Sequence, residues 1–138
     1  MSNLVRISMS LEDTLLERFD QQVREEGYPT RSEAIKALMR QNLATREWTQ
    51  NERVAGSVTL VYDHHRGGIV KKLMDVQHDY GSVIVSTQHV HLDHDHCLEI
   101  IVVKGEAAQI RELVSVLKST KGVKHNSLVM TSIGENLT

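Results

Sequence analysis

A chain of 138 residues with a net charge of -2 has room for one ordinary domain or two small ones, and no surplus of basic charge that would by itself announce a nucleic-acid partner. No apolar run reaches membrane-spanning length and the N-terminus lacks a signal-peptide core, so the expected location is cytoplasmic. The single cysteine rules out an internal disulfide and would be kept reduced there as a thiolate ligand, while one proline and 4% aromatic content argue against a proline-rich linker or an aromatic single-strand platform.

Leu4 to Leu11 alternate, with Val5, Ile7, Met9 and Leu11 on one side and Arg6, Ser8 and Ser10 on the other, which predicts a short strand with one apolar face. Ser10 heads an N-capping pattern, and Leu11, Leu15, Leu16, Phe19 and Val23 recur at helical spacing. A first helix is therefore expected about from Leu11 to Glu26, stopped by Gly27. Tyr28-Pro29 breaks the chain, and Thr30-Arg31-Ser32-Glu33 is a capping box opening a second helix with Ala34, Ile35, Leu38, Met39 and Leu43 on its apolar stripe. Strand, helix and helix within about 45 residues bury too little surface alone, and the strand has no partner in its own chain. Pairing with the same strand of a second subunit would meet both needs.

Arg6-Ile7-Ser8-Met9-Ser10-Leu11 followed by two capped helices, the second opening with Arg31-Ser32-Glu33-Ala34-Ile35, resembles the ribbon-helix-helix DNA-binding fold. The resemblance implies a dimer whose two-stranded ribbon enters the major groove, with Arg6, Ser8 and Ser10 reading base edges. It also implies that the start of the second helix, at Thr30, Arg31 and Ser32, offers backbone N–H groups to a phosphate. The first fifty residues hold seven basic and eight acidic side chains, so non-specific DNA affinity should be modest.

Residues 46–56 are polar and lack a continuous apolar period, and read as a linker or a frayed helix end between a domain at 1–45 and another at 57–138. In the second domain Val58, Leu60 and Tyr62 alternate as a strand, and Ile69, Leu73, Val76 and Tyr80 fall at helical spacing. Val83 to Leu92 and Cys97 to Val103 are strand-like, Ile110, Leu113, Val114 and Leu117 mark another helix, and Gly122 to Thr131 closes as a strand. This β-α-β-β-α-β order is the ferredoxin-like arrangement, and the whole chain is expected to be α+β. Helices on one face of that sheet leave the other face to seek a second sheet in an oligomer.

Four of the eight histidines and the cysteine fall within the nine residues from His89 to Cys97. On a strand His89 and His91 point to one face, roughly 7 Å apart along the chain, and a hairpin could bring Cys97 back beside them. Exposed histidines on a polar turn are the plain reading, but five potential ligands in nine residues count against it. The string His89-Val90-His91-Leu92-Asp93-His94 also matches the His-x-His-x-Asp-His run of the metallo-β-lactamase hydrolases. Those enzymes use a larger αββα domain and further downstream ligands, whereas only 41 residues follow Cys97 here and the sole later histidine is His125. No enzyme is expected.

A ribbon-helix-helix head followed by His78, then His89-Val90-His91, then Cys97-Leu98-Glu99, with the spacing His-x10-His-x-His-x5-Cys, resembles the nickel-responsive transcription regulators of the NikR family over almost the whole length. The resemblance implies an ACT-like second domain at the centre of a homotetramer built as a dimer of dimers. It further implies Ni(II), one per subunit, held by His89, His91 and Cys97 of one subunit and His78 of its neighbour, with Tyr62, Gln77 and Glu99 around the site. A planar set of three imidazoles and a thiolate suits a low-spin d8 ion. The family's partner is double-stranded, palindromic operator DNA, and its usual outcome is repression of nickel uptake. His64 matches a position used in alternative metal arrangements; His65, His94, His96 and His125 read as exposed or weak secondary ligands. Ala37 stands where relatives often carry an acid, which removes a ligand from a second cation site. The competing class is a metal-storage or small-molecule-binding ACT protein whose head serves assembly.

Overall fold

A computed structural model describes residues 2–138, which form two compact units, one of the residues up to Leu43 with Asn136–Thr138 and one of Ala44–Glu135. In the first unit the strand expected at Leu4 to Leu11 does not form: these residues have no ladder partner among the described residues, and Leu4, Val5, Ile7, Met9 and Leu11 are exposed. Helix α1 spans Asp13–Glu25, shorter than the expected Leu11 to Glu26. Its first helical bond runs from the Leu16 N–H to the Glu12 carbonyl, so Glu12 and not Ser10 occupies the cap, and no side chain closes it. Its end obeys the sequence. Gly27 takes φ +76, the Tyr28 N–H reaches the Val23 carbonyl at 3.0 Å and the Gly27 N–H the Arg24 carbonyl at 3.2 Å, which satisfies the last carbonyls as a Schellman turn.

Helix α2 spans Arg31–Thr49. Thr30 Oγ1 accepts the Glu33 N–H at 3.1 Å, half of the expected capping box, while the Glu33 carboxylate turns forward to Lys36. The helix runs on to Thr49, into the stretch read as a linker or frayed helix end, and only a short turn separates it from strand β1 at Arg53–Asp63, which takes the rest. One side chain accounts for the difference. Trp48 is 1% exposed, its Nε1 donates to the Thr131 carbonyl at 2.7 Å, and burying an indole stabilises a helix end that its polar neighbours do not specify. Gly56 lies beside it: a Cβ there would meet the indole in ordinary contact at 3.4 Å but would collide with the Val129 carbonyl oxygen at 2.6 Å, so the β1–β4 pairing calls for the glycine. In the turn, Asn51 adopts φ 55 and its Oδ1 accepts the Ala108 N–H at 2.7 Å, while the Glu52 carbonyl accepts that of Ala107 at 3.1 Å. The turn thereby caps α4, Ala107–Ser119, whose own N-terminus lacks a capping side chain.

The second unit continues with α3 at Ile69–Asp79, β2 at Ile84–His91, β3 at His96–Glu106, α4, and β4 at Val123–Thr131. The sheet order is β2-β3-β1-β4 with every pair antiparallel, the ferredoxin-like arrangement expected. Val54, Val58, Leu60 and Tyr62 alternate inward along β1 and meet Ile101 and Val103 of β3 and Ile69, Leu73, Ile110, Leu113 and Leu117 of the helices in one core. The opposite face keeps apolar side chains in contact with solvent, among them Val90, Val102 and Val129.

Candidate metal centre

Register decides which face of the sheet receives the histidines. From His91 back to Ser86, strand β2 opposes β3 in steady antiparallel step, so His91 faces Cys97, His89 faces Glu99 and Thr87 faces Ile101. Beyond Ser86 the register shifts by one residue and Ile84 opposes Val103, leaving Val85 as the extra residue of a bulge. Because side chains alternate, this single insertion lets Ile84 pack against the core and still turns Thr87, His89 and His91 to the Cys97 side. Paired without a bulge, the same sequence would turn one set or the other away.

The turn between the strands is held by Asp93. Its Oδ1 accepts the Asp95 and His96 N–H groups at 2.8 Å each, and the carboxylate lies 3.0 Å from the His96 Nδ1. These bonds hold the Asp93 carboxyl down to about 2, with the His96 side chain the largest cause. The aspartate of the hydrolase-like string is thus committed to turn geometry. On the far side of His96, its Nε2 meets the Lys124 Nζ at 2.9 Å. Lys124 sits at a second bulge, where Val61 opposes His125 but Tyr62 opposes Val123. His125, paired with Val61 before that shift, lies on the sheet face away from Cys97.

Cys97 is fully buried, and its Sγ lies 3.4 Å from both the His91 Nδ1 and the His64 Nδ1. The three ligand atoms are within 4.8 Å of one another. Burial pushes the Cys97 thiol up, and the charges of Glu99, Asp93 and Asp63 push the same way, so a thiolate here calls for a cation beside it. Two imidazoles and a sulfur suit an ion of the nickel, copper and zinc group. His89 lies beside this trio, its ring 5.1 Å from that of His91, and its Nδ1 is 3.2 Å from the Tyr62 hydroxyl and 3.7 Å from Glu99 Oε1. An Nδ1 engaged in this way leaves Nε2 for a metal. Burial raises the Glu99 carboxyl against the opposing pull of His89, and burial followed by the Glu99 charge raises the Tyr62 hydroxyl. Gln77 Nε2 donates to Glu99 Oε2 at 3.2 Å, so all three residues expected around the ligands touch one another or His89.

Two placements differ in emphasis from the sequence reading. His78 is exposed on the last turn of α3 and belongs to neither group of potential ligands found among the described residues. His64 takes a place beside Cys97 that the ligand set does not give it. The signal was in the pairing: Tyr62 opposes Cys97 and Asp63 opposes His96, so the first residue past β1 must lie against the β2–β3 turn, where the His64 N–H meets the Asp95 carbonyl at 3.1 Å. A second group, His65, His94 and Asp95, is exposed and already joined by hydrogen bonding, with His65 Nε2 3.0 Å from the His94 carbonyl and 3.4 Å from Asp95 Oδ1. In the head, Arg6, Ser8, Ser10 and Ser32 are exposed, Thr30 caps α2, and the Arg31 guanidinium forks onto both Asp20 oxygens at 2.6 and 2.7 Å.

Residues 55–131 match the model of the NikR C-terminal nickel-binding domain, and residues 5–46 match that of the ribbon-helix-helix proteins of the copG family. A protein of Syntrophus aciditrophicus bearing the name nickel-responsive regulator is 49% identical over 98% of this chain and 98% of its own. One of Pyrococcus abyssi with the same name is 53% identical over 98% and 99%. Among solved structures, the ACT domain of a GTP pyrophosphokinase of Chlorobium tepidum superposes with a TM-score of 0.50 at 12% identity, over 56% of this chain and 99% of that one. A protein of Thermotoga maritima does so with a TM-score of 0.53 at 18% identity, over 57% and 98%. Both likenesses concern the fold alone.

Proposed function

The chain belongs to the family of nickel-responsive transcription regulators, and from that premise we propose that it binds one Ni(II) per subunit through His89, His91 and Cys97 and through His78 of a neighbouring subunit. The observation that carries the ligand set is the register of the β2–β3 hairpin, which turns both histidines to the face of the buried sulfur. His78, exposed and outside the single-chain groups, is free to serve a neighbour's hairpin. When bound, the ion supplies positive charge that keeps Cys97 as thiolate and ties two subunits together. The chain is a regulator and not an enzyme.

In this reading the protein is a cytoplasmic homotetramer, with ACT-like units at the centre and two ribbon-helix-helix dimers that contact a palindromic operator through Arg6, Ser8 and Ser10. Thr30 and Ser32 sit at the phosphate backbone, and Arg31, forked on Asp20, shapes the start of α2 beside them. His78 meets a neighbour's ligands in only one arrangement of subunits, so metal favours that arrangement. If the same arrangement fits the operator better, metal and DNA tighten each other's binding by one coupling free energy, typically about 1–3 kcal/mol. The regulated outcome is repression of nickel uptake.

Selection of bound duplexes from fragmented genomic DNA, run with stoichiometric nickel and in parallel with a chelator, tests this. Enrichment of one palindromic site with nickel alone supports a metal-gated regulator. Nickel binding with no enriched sequence in either arm refutes the operator reading and favours a metal-storage ACT protein.

A further inference from the structure

The face of β2 that carries His89 and His91 bears a third polar side chain. Thr87 lies on it, opposite Ile101, two residues before His89. Its hydroxyl donates to Gln77 Oε1 at 2.9 Å, Gln77 Nε2 donates to Glu99 Oε2 at 3.2 Å, and the other Glu99 oxygen lies 3.7 Å from His89 Nδ1. The chain of bonds has a direction. A carboxylate only accepts, so the amide must present its NH2 to Glu99, and its oxygen then needs a donor, which the Thr87 hydroxyl supplies. Turned over, the amide would set oxygen against carboxylate.

Gln77 belongs to the last turn of α3 and immediately precedes His78. One amide therefore joins that turn to the hairpin. We propose that Thr87 is a positioning residue of the metal centre: acting through Gln77, it orients Glu99 toward His89 and holds the last turn of α3, with His78, in register with the β2–β3 hairpin. The proposal rests on the nickel reading above.

The test compares the full-length parent with Thr87→Val, Thr87→Ser, Gln77→Met and the Thr87→Val/Gln77→Met double variant. Hydrogen exchange of residues 69–81 is followed without metal, and nickel(II) chloride is titrated by its thiolate charge-transfer band. Thr87→Val should exchange faster in the last turn of α3 and bind nickel about tenfold more weakly, the usual scale for losing a group that orients a ligand. Thr87→Ser should restore both, which a loss of β-branched packing alone would not predict. Thr87→Val should add little to Gln77→Met, since both remove one link. Exchange and nickel affinity equal to the parent's in Thr87→Val, or additive losses in the double variant, overturn the proposal while the nickel reading stands. A parent chain without a nickel–thiolate band overturns that reading and the proposal with it.

Discussion

His91 and Cys97 stand directly opposite each other across the β2–β3 ladder, with Nδ1 and Sγ 3.4 Å apart. Ile84 shares that face although it lies three residues before Thr87, because the bulge at the exposed Val85 absorbs one residue. Deleting Val85 leaves Ile84 two residues before Thr87, where regular alternation keeps both on one face, so nickel titration should show binding kept in the deletion and in Val85→Ala. Inserting one residue between Ser86 and Thr87 has no bulge to absorb it and should weaken binding; equal binding in that insertion would show that the hairpin can re-register.

His64 and His89 compete for a role beside the same sulfur. His89 is held by Tyr62 and Glu99 with Nε2 left over, whereas the His64 Nδ1 directly faces Cys97. In the assembled protein His89→Ala should weaken nickel binding more than His64→Ala, by tenfold or more on the scale of a ligand-orienting loss. Nickel competition against a chromophoric chelator ranks the two, and the reverse order would move the centre onto His64.

Trp48 tests the boundary between the units. Trp48→Ala should destabilise the second unit by about 3–5 kcal/mol, as for large aromatic truncations in cores, measured by urea unfolding. Trp48→Phe, which keeps much of the packing but gives up the bond to the Thr131 carbonyl, should cost less. Equal stability of Trp48→Ala and the parent would mean that the indole's burial contributes nothing to the unit.

The Arg31 guanidinium holds the Asp20 carboxyl below its ordinary 3.8. The unfolded chain then takes up a proton before the folded one as pH falls. This pair's contribution to stability is full above about 3.8 and is lost as pH falls through the lowered folded value. Carbon NMR of the Asp20 carboxyl should show a midpoint below 3.8 in the parent and a return toward it in Arg31→Ala. An unchanged midpoint in the variant would show that the fork does not persist in solution.

The order of elements after residue 11 was legible because periodicity reports burial: two helices, then β-α-β-β-α-β, stand where apolar spacing put them. Boundaries failed where one residue outweighed its surroundings. Ser10 has the chemistry of a cap, but the first backbone bond closes on Glu12. The stretch 46–56 is polar in all but Trp48, Val54, Ala55 and Gly56, and local pattern has no way to register that the Thr131 carbonyl and the core await the indole. For the centre, spacing brought His89, His91 and Cys97 to one hairpin, while His64 required the β1–β3 register, a long-range pairing that no window along the chain contains.

The last turn of α2 has a practical bearing on how the chain can be divided. The polar run after residue 45 invites a cut there, yet a fragment beginning at residue 50 would leave behind the indole that packs into the core and donates to the Thr131 carbonyl. Starting a few residues later would also remove the Asn51 and Glu52 groups that close the start of α4. A metal-binding fragment prepared for spectroscopy or crystallisation should therefore begin no later than Ala44, and one trimmed to residue 57 is expected to expose apolar surface and precipitate.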